Sequence, residues 1–330
     1  MESIIPLLSV LSLALVANLV TASHNKRANK LFDWILAILN VPLLLRGILL
    51  LIVPPQSISF LAELELPELN LTAAGWVLIA IAIWSILSCI RPWRRLLARL
   101  LPLNPESAVH TLALLLAGYL TGNTLFALTQ DIVAELVNTG LIVTIVDVVL
   151  QQAAFVFVAF VGAGYLTRRN LKEVSQRLGL VRPDAGQLLL GLASIGILLT
   201  LQWTIGVIWL LLDPQQAELF GELNDTLLSG LDTFGEWFIL ALASGIGEEI
   251  LFRGALQPVF GIVFTALLFA IVHVQYGLTP ITLAVFLLGL ILGVLRQRTN
   301  TTVTIFVHFG YNLILGLMAL LAVYVQDLLA

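Results

Sequence analysis

Gly245-Ile246-Gly247-Glu248-Glu249-Ile250-Leu251-Phe252-Arg253-Gly254 sets two adjacent carboxylates and an arginine inside a run that otherwise reads as a membrane span. One charged side chain at the centre of a membrane helix costs about 2.5–3.5 kcal/mol on insertion scales. Three within six residues therefore point to a working site. On an α-helix Glu249 and Arg253 stand one turn apart and can pair, whereas Glu248 is turned about 100° away. The expectation is a Glu249–Arg253 brace that leaves Glu248 free to act.

The rest of the chain supplies the membrane. Of its 330 residues 59% are hydrophobic and 11% charged, with a mean hydropathy of +1.03. A soluble domain carries about 25% charge, so the fold class is all-α, a polytopic membrane helical bundle. Ten spans are expected: Ile4–Val20, Leu31–Val53, Ala73–Ile90, Ala108–Thr129, Gly140–Leu166, Leu188–Leu212, Glu236–Leu256, Ile262–Tyr276, Ile281–Leu295 and Val303–Val325. The first has no basic residue before it and Lys26, Arg27 and Lys30 after it, which marks a retained helix rather than a cleaved signal. Cys89 stands alone, so an internal disulfide and a multi-cysteine metal site are excluded.

Fifteen of the sixteen Lys and Arg fall in or beside alternate connections, and Arg46 is the exception. The intervening connections carry acids, as at Glu63, Glu65, Glu68, Asp131, Glu135 and Asp213 through Asp232. By the positive-inside rule the basic connections face the cytoplasm and both termini lie outside a cell membrane. The longest basic connection suggests three parts: an N-terminal five-helix extension (1–166), a solvated amphipathic connector (167–184) and a C-terminal catalytic part (185–330). Pro54-Pro55 begins an outer loop. Asp33, Asn40, Arg46, Asp147, Gln151, Gln152 and Gln202 interrupt apolar runs and read as interhelical packing or pairing groups. Gly289 and Gly293 form a small-xxx-small element that allows close helix approach.

In the C-terminal third, Phe269 precedes His273 by one helical turn, and His308 precedes Asn312 by one turn. Glu248 lies nine residues from Gln257, or ~14 Å along a helix, and His273 eleven from Ile262, or ~17 Å. His308 and Asn312 lie ~8 and ~14 Å from Val303. All four can share one level in the cytoplasmic half of the membrane. A carboxylate and an imidazole there can activate water, while a second His with an Asn can donate to the oxyanion of a tetrahedral intermediate. That combination suits amide hydrolysis without a covalent intermediate. The expectation is metal-free chemistry with no required cofactor; the alternative is a divalent ion such as zinc on Glu248, His273 and His308.

Glu248-Glu249-x-x-x-Arg253, Phe269-x-x-x-His273 and His308-x-x-x-Asn312, in this order, resemble the three motifs of the CPBP intramembrane proteases. That family includes the Ras-converting type II CAAX prenyl proteases, bacteriocin-processing and immunity proteins, and Abi proteins. The resemblance covers about residues 185–325. It implies that Glu248 and His273 activate the attacking water and that His308 and Asn312 stabilise the oxyanion. Glu249, Arg253 and Phe269 would support the site. The short connection from Arg253 to His273 lacks the basic loop of many relatives and bears on substrate entry.

The reading is an intramembrane endopeptidase acting on a membrane-associated protein or peptide, CAAX-type substrates included, with the lipid bilayer as its other partner and no nucleic acid. Two alternatives stand beside it. One is a proton-coupled transporter that uses Glu248, Glu249 and His273 as a relay, for which paired broken helices would be expected. The other is a catalytically silent scaffold.

Overall fold

The structure is a computed structural model, described over residues 4–53, 70–129, 144–273 and 276–329. The outer-loop residues Pro54, Pro55, Glu63, Glu65, Glu68, Asp131 and Glu135 lie outside the described residues, as does the start of the expected fifth span. The helices, in chain order, are α1 (Ile4–Ala22), α2 (Lys26–Ile52), α3 (Leu71–Ser88), α4 (Arg91–Leu97), α5 (Ala108–Leu128), α6 (Ile145–Gly162) and α7 (Leu171–Leu178). They continue with α8 (Ala185–Leu212), α9 (Pro214–Leu228), α10 (Phe234–Glu248), a π-helix (Glu249–Leu256), α11 (Gln257–Ile271), α12 (Pro280–Arg298) and α13 (Thr301–Leu329). Local chemistry sets several starts: Asp184 and Thr233 each form a reciprocal capping box, with Gln187 and Glu236 respectively.

Among the described residues nine helical runs are long and apolar enough to cross a membrane. One of them, Phe234–Ile271, joins the two spans expected at 236–256 and 262–276. It is not straight. Gly261 has φ 75° and ψ 179°, outside any helix. A straight helix would hold Phe252 and Phe269 about 25 Å apart, yet their ring centroids are 5.1 Å apart. The chain therefore doubles back at Gly261, where glycine supplies the positive φ. The second arm is shorter than expected: from Ile262 its helix stops at Ile271, about 15 Å, or half a bilayer.

The second departure lies in the opening stretch itself. Glu249–Leu256 is a π-helix rather than an α-helix, and the Gln257 N–H bonds to the Phe252 carbonyl five residues back. Glu249 and Arg253 still meet, but across a wider turn.

α10 is the hub. On one side Gly245 lets α13 approach, since a Cβ there would lie 3.0 Å from the Phe309 nitrogen. On another, Gly247 admits α6, where a Cβ would lie 2.9 Å from the Gln152 Cα. The main apolar core runs from Leu114 and Ala159 through Phe252 and Phe269 to Val307. One continuous core thus includes residues on both sides of 167–184, and α6 packs against α10. The connector is docked rather than solvated throughout. Val174 and Leu178 of α7 are fully buried, the Thr301 hydroxyl donates to the Leu178 carbonyl at 2.5 Å, and Arg177 reaches the Gly254 carbonyl at 3.5 Å. Gly289 and Gly293 do bring α12 close to α11: a Cβ at each would lie 3.1 Å from Ala266 and 2.7 Å from Ile262.

A second cluster joins α1, α2 and α5 around Ala17, Phe32 and Leu112. Here Asp33 takes two hydrogen bonds from the buried Arg94, at 2.8 and 3.2 Å. Asn40 accepts from the Tyr119 hydroxyl at 2.7 Å. Both are the pairing groups that their positions suggested. Arg46 is exposed.

Candidate active site

Glu248 closes α10 at the point where the helix widens, and its carboxylate is split between two tasks. Oε1 accepts from the Gln152 side-chain amide of α6 at 3.1 Å. Oε2 is buried and has no hydrogen-bond partner among the described residues. It faces His273 Nε2 at 3.9 Å and His308 Nε2 at 4.0 Å. Those separations are too long for direct hydrogen bonds. They are short enough for one water to reach the carboxylate and an imidazole together.

Each imidazole is fixed from behind. The His273 Nδ1 lies 2.6 Å from the Phe269 carbonyl. A carbonyl only accepts, so Nδ1 carries the proton and Nε2 presents its lone pair towards Glu248. The His308 Nδ1 lies 3.0 Å from Glu249 Oε1, so it too donates away from the gap. The side chains of Glu249 and Arg253 are fully buried and pair at 3.3 Å. The Arg253 guanidinium lies 4.5 Å over the Phe269 ring, a cation–π contact in a desolvated setting. Phe269 also meets His273 at 4.7 Å and His308 at 6.1 Å between ring centroids. One buried ring thus sets the spacing of the arginine and both histidines.

Asn312 donates to the Ser244 hydroxyl at 2.9 Å. Ser244 stands one turn before Glu248 on α10, so this bond draws the fourth predicted residue to the same helix. Glu248, Glu249, Arg253, Phe269, His273, His308 and Asn312 therefore form one connected constellation. Gly254 and Thr301 both meet the Leu178 carbonyl, and from that common level Glu248 and His308 lie six and seven residues in, about 9 and 10.5 Å at the α-helical rise.

Residues 230–314 match a family model described as type II CAAX prenyl endopeptidase Rce1-like. The chain carries an Rce1-like domain. A search of curated proteins and a search of solved structures each returned no match. The Rce1-like domain spans α10 through the first half of α13 and so holds every predicted site residue. The match, over about a quarter of the chain, supports a membrane endopeptidase.

Two contributors escaped the sequence. Gln152 lies outside the Rce1-like domain and reads from sequence as a packing residue, because a lone glutamine in an apolar span looks the same in either role. Its one signal was Gly247 beside Glu248, a cue that another helix comes close but not which one. Ser244 gave no signal. The metal alternative rests on Glu248 Oε2 and the two Nε2 atoms. Donors around a tetrahedral zinc with bonds of 2.0–2.1 Å stand ~3.3 Å apart, whereas Glu248 Oε2 stands 3.9 and 4.0 Å from the two Nε2 atoms. Among the described residues no group of three His, Cys, Asp or Glu side chains is arranged as metal donors.

Proposed function

We propose that the chain hydrolyses a peptide bond of a membrane-associated protein or peptide by Glu248-activated water. The observation that carries this reading is the buried, unpartnered Glu248 Oε2 between two imidazole Nε2 atoms. A water held by Oε2 and His273 Nε2 attacks the scissile carbonyl carbon and gives its proton to Oε2. The carbonyl oxygen becomes an oxyanion, stabilised by the Asn312 amide and by His308 Nε2–H when that ring is doubly protonated, with Glu249 as countercharge. Collapse breaks the C–N bond, and the proton on Glu248 passes to the leaving nitrogen. A carboxylic acid and an amine leave, and the carboxylate is restored. No bond to the protein forms, and no step needs a metal.

The substrate reaches the site from the basic face of the protein, assigned to the cytoplasm with both termini outside. The description of the matched family names a CAAX prenyl endopeptidase; prenylated CAAX proteins are one candidate substrate class here. The test compares new peptide ends in membranes from cells expressing wild type and Glu248→Gln. Ends that vanish in the variant identify the substrate, and their persistence in chelator supports the metal-free step. Identical ends at equal protein abundance would sink the protease reading and favour a transporter or scaffold.

A further inference from the structure

Beside α6 lies a cavity of about 1390 Å³ between α1, α2, α5, α6 and the π-helix hairpin. It exceeds the ~300–1,000 Å³ usual for small-molecule pockets. Its walls are amphipathic along their length. On α2 the lining runs from Lys26 to Asn40, about 21 Å, a depth greater than one leaflet of a ~30 Å hydrocarbon core. The deep part is apolar, with Leu36, Leu112, Leu116 and Phe155 among its walls. The mouth carries Lys26, Arg91, Arg95, Arg168, Arg169 and Arg177.

The charge at this mouth is not balanced. Glu106 is the carboxylate in the lining, and Arg91 and Arg95 already hold it at 3.2 Å each. Arg168 donates to the Asn18 side chain at 2.9 Å, Arg169 to the Ala163 carbonyl and Arg177 to the Gly254 carbonyl at 3.5 Å. None of these three meets a carboxylate among the described residues. They converge nevertheless: a Cβ on Gly164 would lie 3.0 Å from an Arg169 nitrogen and 3.2 Å from Arg168 Nε. Burial first, and then the neighbouring Arg169 and Arg177, pull Arg168 below its ordinary value. Half-buried cations above an apolar shaft need an anion attached to hydrocarbon.

We propose that this cavity is a binding site for an anionic phospholipid, with its phosphate on Arg168, Arg169 and Arg177 and an acyl chain along α2 and α5. Free phosphate would leave the shaft empty, and a zwitterionic lipid would leave the guanidiniums uncompensated. The site is independent of the proposed hydrolysis, but it shares a wall with it. Phe155 lines the cavity and packs edge-on against Phe252 at 6.4 Å. A bound chain therefore backs the helix that carries Gln152 to Glu248.

The test uses the full chain purified in detergent. Thermal unfolding is followed on titration with phosphatidylglycerol, phosphatidylcholine of the same chains, or inorganic phosphate. Phosphatidylglycerol should raise the midpoint saturably, and the other two should not. Arg168→Gln/Arg177→Gln should weaken the effect at least tenfold. Ala113→Phe, which fills the shaft and leaves the cations in place, should weaken it as much. Equal effects of both lipids, an equal effect of phosphate alone, or an unaltered response in the folded Ala113→Phe protein would each overturn the proposal. The last outcome would mean that the cations attract lipid only at the surface.

Discussion

Glu248 and Gln152 show how one carboxylate can be given a single working oxygen. With Oε1 held by the Gln152 amide, Oε2 is the oxygen left for proton transfer in the proposed hydrolysis. Glu248→Gln should lower turnover by about 10²–10⁴ without changing abundance in the membrane, measured on a substrate found by the peptide-end comparison. Gln152→Leu should cost about 10–100-fold, since hydrogen bonds to charged groups contribute ~1.5–3 kcal/mol. The histidines are untouched by that change, so the loss should appear in turnover rather than substrate binding. Arg253→Met leaves Glu249 buried without its cation and should lower stability by about 3–5 kcal/mol. Glu249→Leu in the same chain should recover much of that loss in thermal unfolding. Glu248, Glu249 and Arg253 were legible because charge inside an apolar run is costly and so conspicuous. Gln152 and Ser244 were not, because an uncharged polar group can satisfy itself on its own helix and leaves no such mark.

At the scale of the element, the site depends on a helix that changes pitch. The π-helix begins at Glu249, directly after Glu248, and such widened turns recur at functional sites. The one-turn pairing of Glu249 with Arg253 was readable from spacing. The hydrogen-bond pattern was not, since the same side chains serve either helix and neighbouring packing decides between them. The break between Glu236–Leu256 and Ile262–Tyr276 was readable too, but the early end of the second arm at Ile271 was not. Gly247→Ala isolates the packing element. Its Cβ would lie 2.3 Å from the Gln152 side-chain oxygen and 2.9 Å from its Cα, so α6 must retreat. The cost should be about 1–3 kcal/mol, seen as a lower unfolding midpoint. Turnover should fall to near that of Gln152→Leu.

For the whole molecule, the Rce1-like domain does not hold its site alone. α6 and α7 precede it, yet one supplies Gln152 and the other buries Val174 and Leu178 beneath the π-helix. A chain of residues 185–330 contains Glu248, His273, His308 and Asn312 but should be inactive and poorly stable. Co-expression of residues 1–184 should restore both, measured by cleavage and by co-purification of the two pieces. Alternating basic and acidic connections made the membrane architecture legible from sequence. The connector's amphipathic pattern was legible as well. Its burial partner was not, because periodicity reveals an apolar face and never what covers it.

The stretch from Glu249 to Gly254 is buried at six successive positions. A membrane helix ordinarily keeps one flank against lipid, where one aliphatic residue substitutes freely for another. Here no such flank exists. Saturation mutagenesis scored by cleavage should therefore show an unbroken block of intolerance across 249–254. In α1 and α2, with 17% of each span buried, most apolar exchanges should pass. Sequence drift in this protein would then be free around its outer helices and nearly halted along one short segment, including at Ile250 and Leu251, which touch no reacting atom.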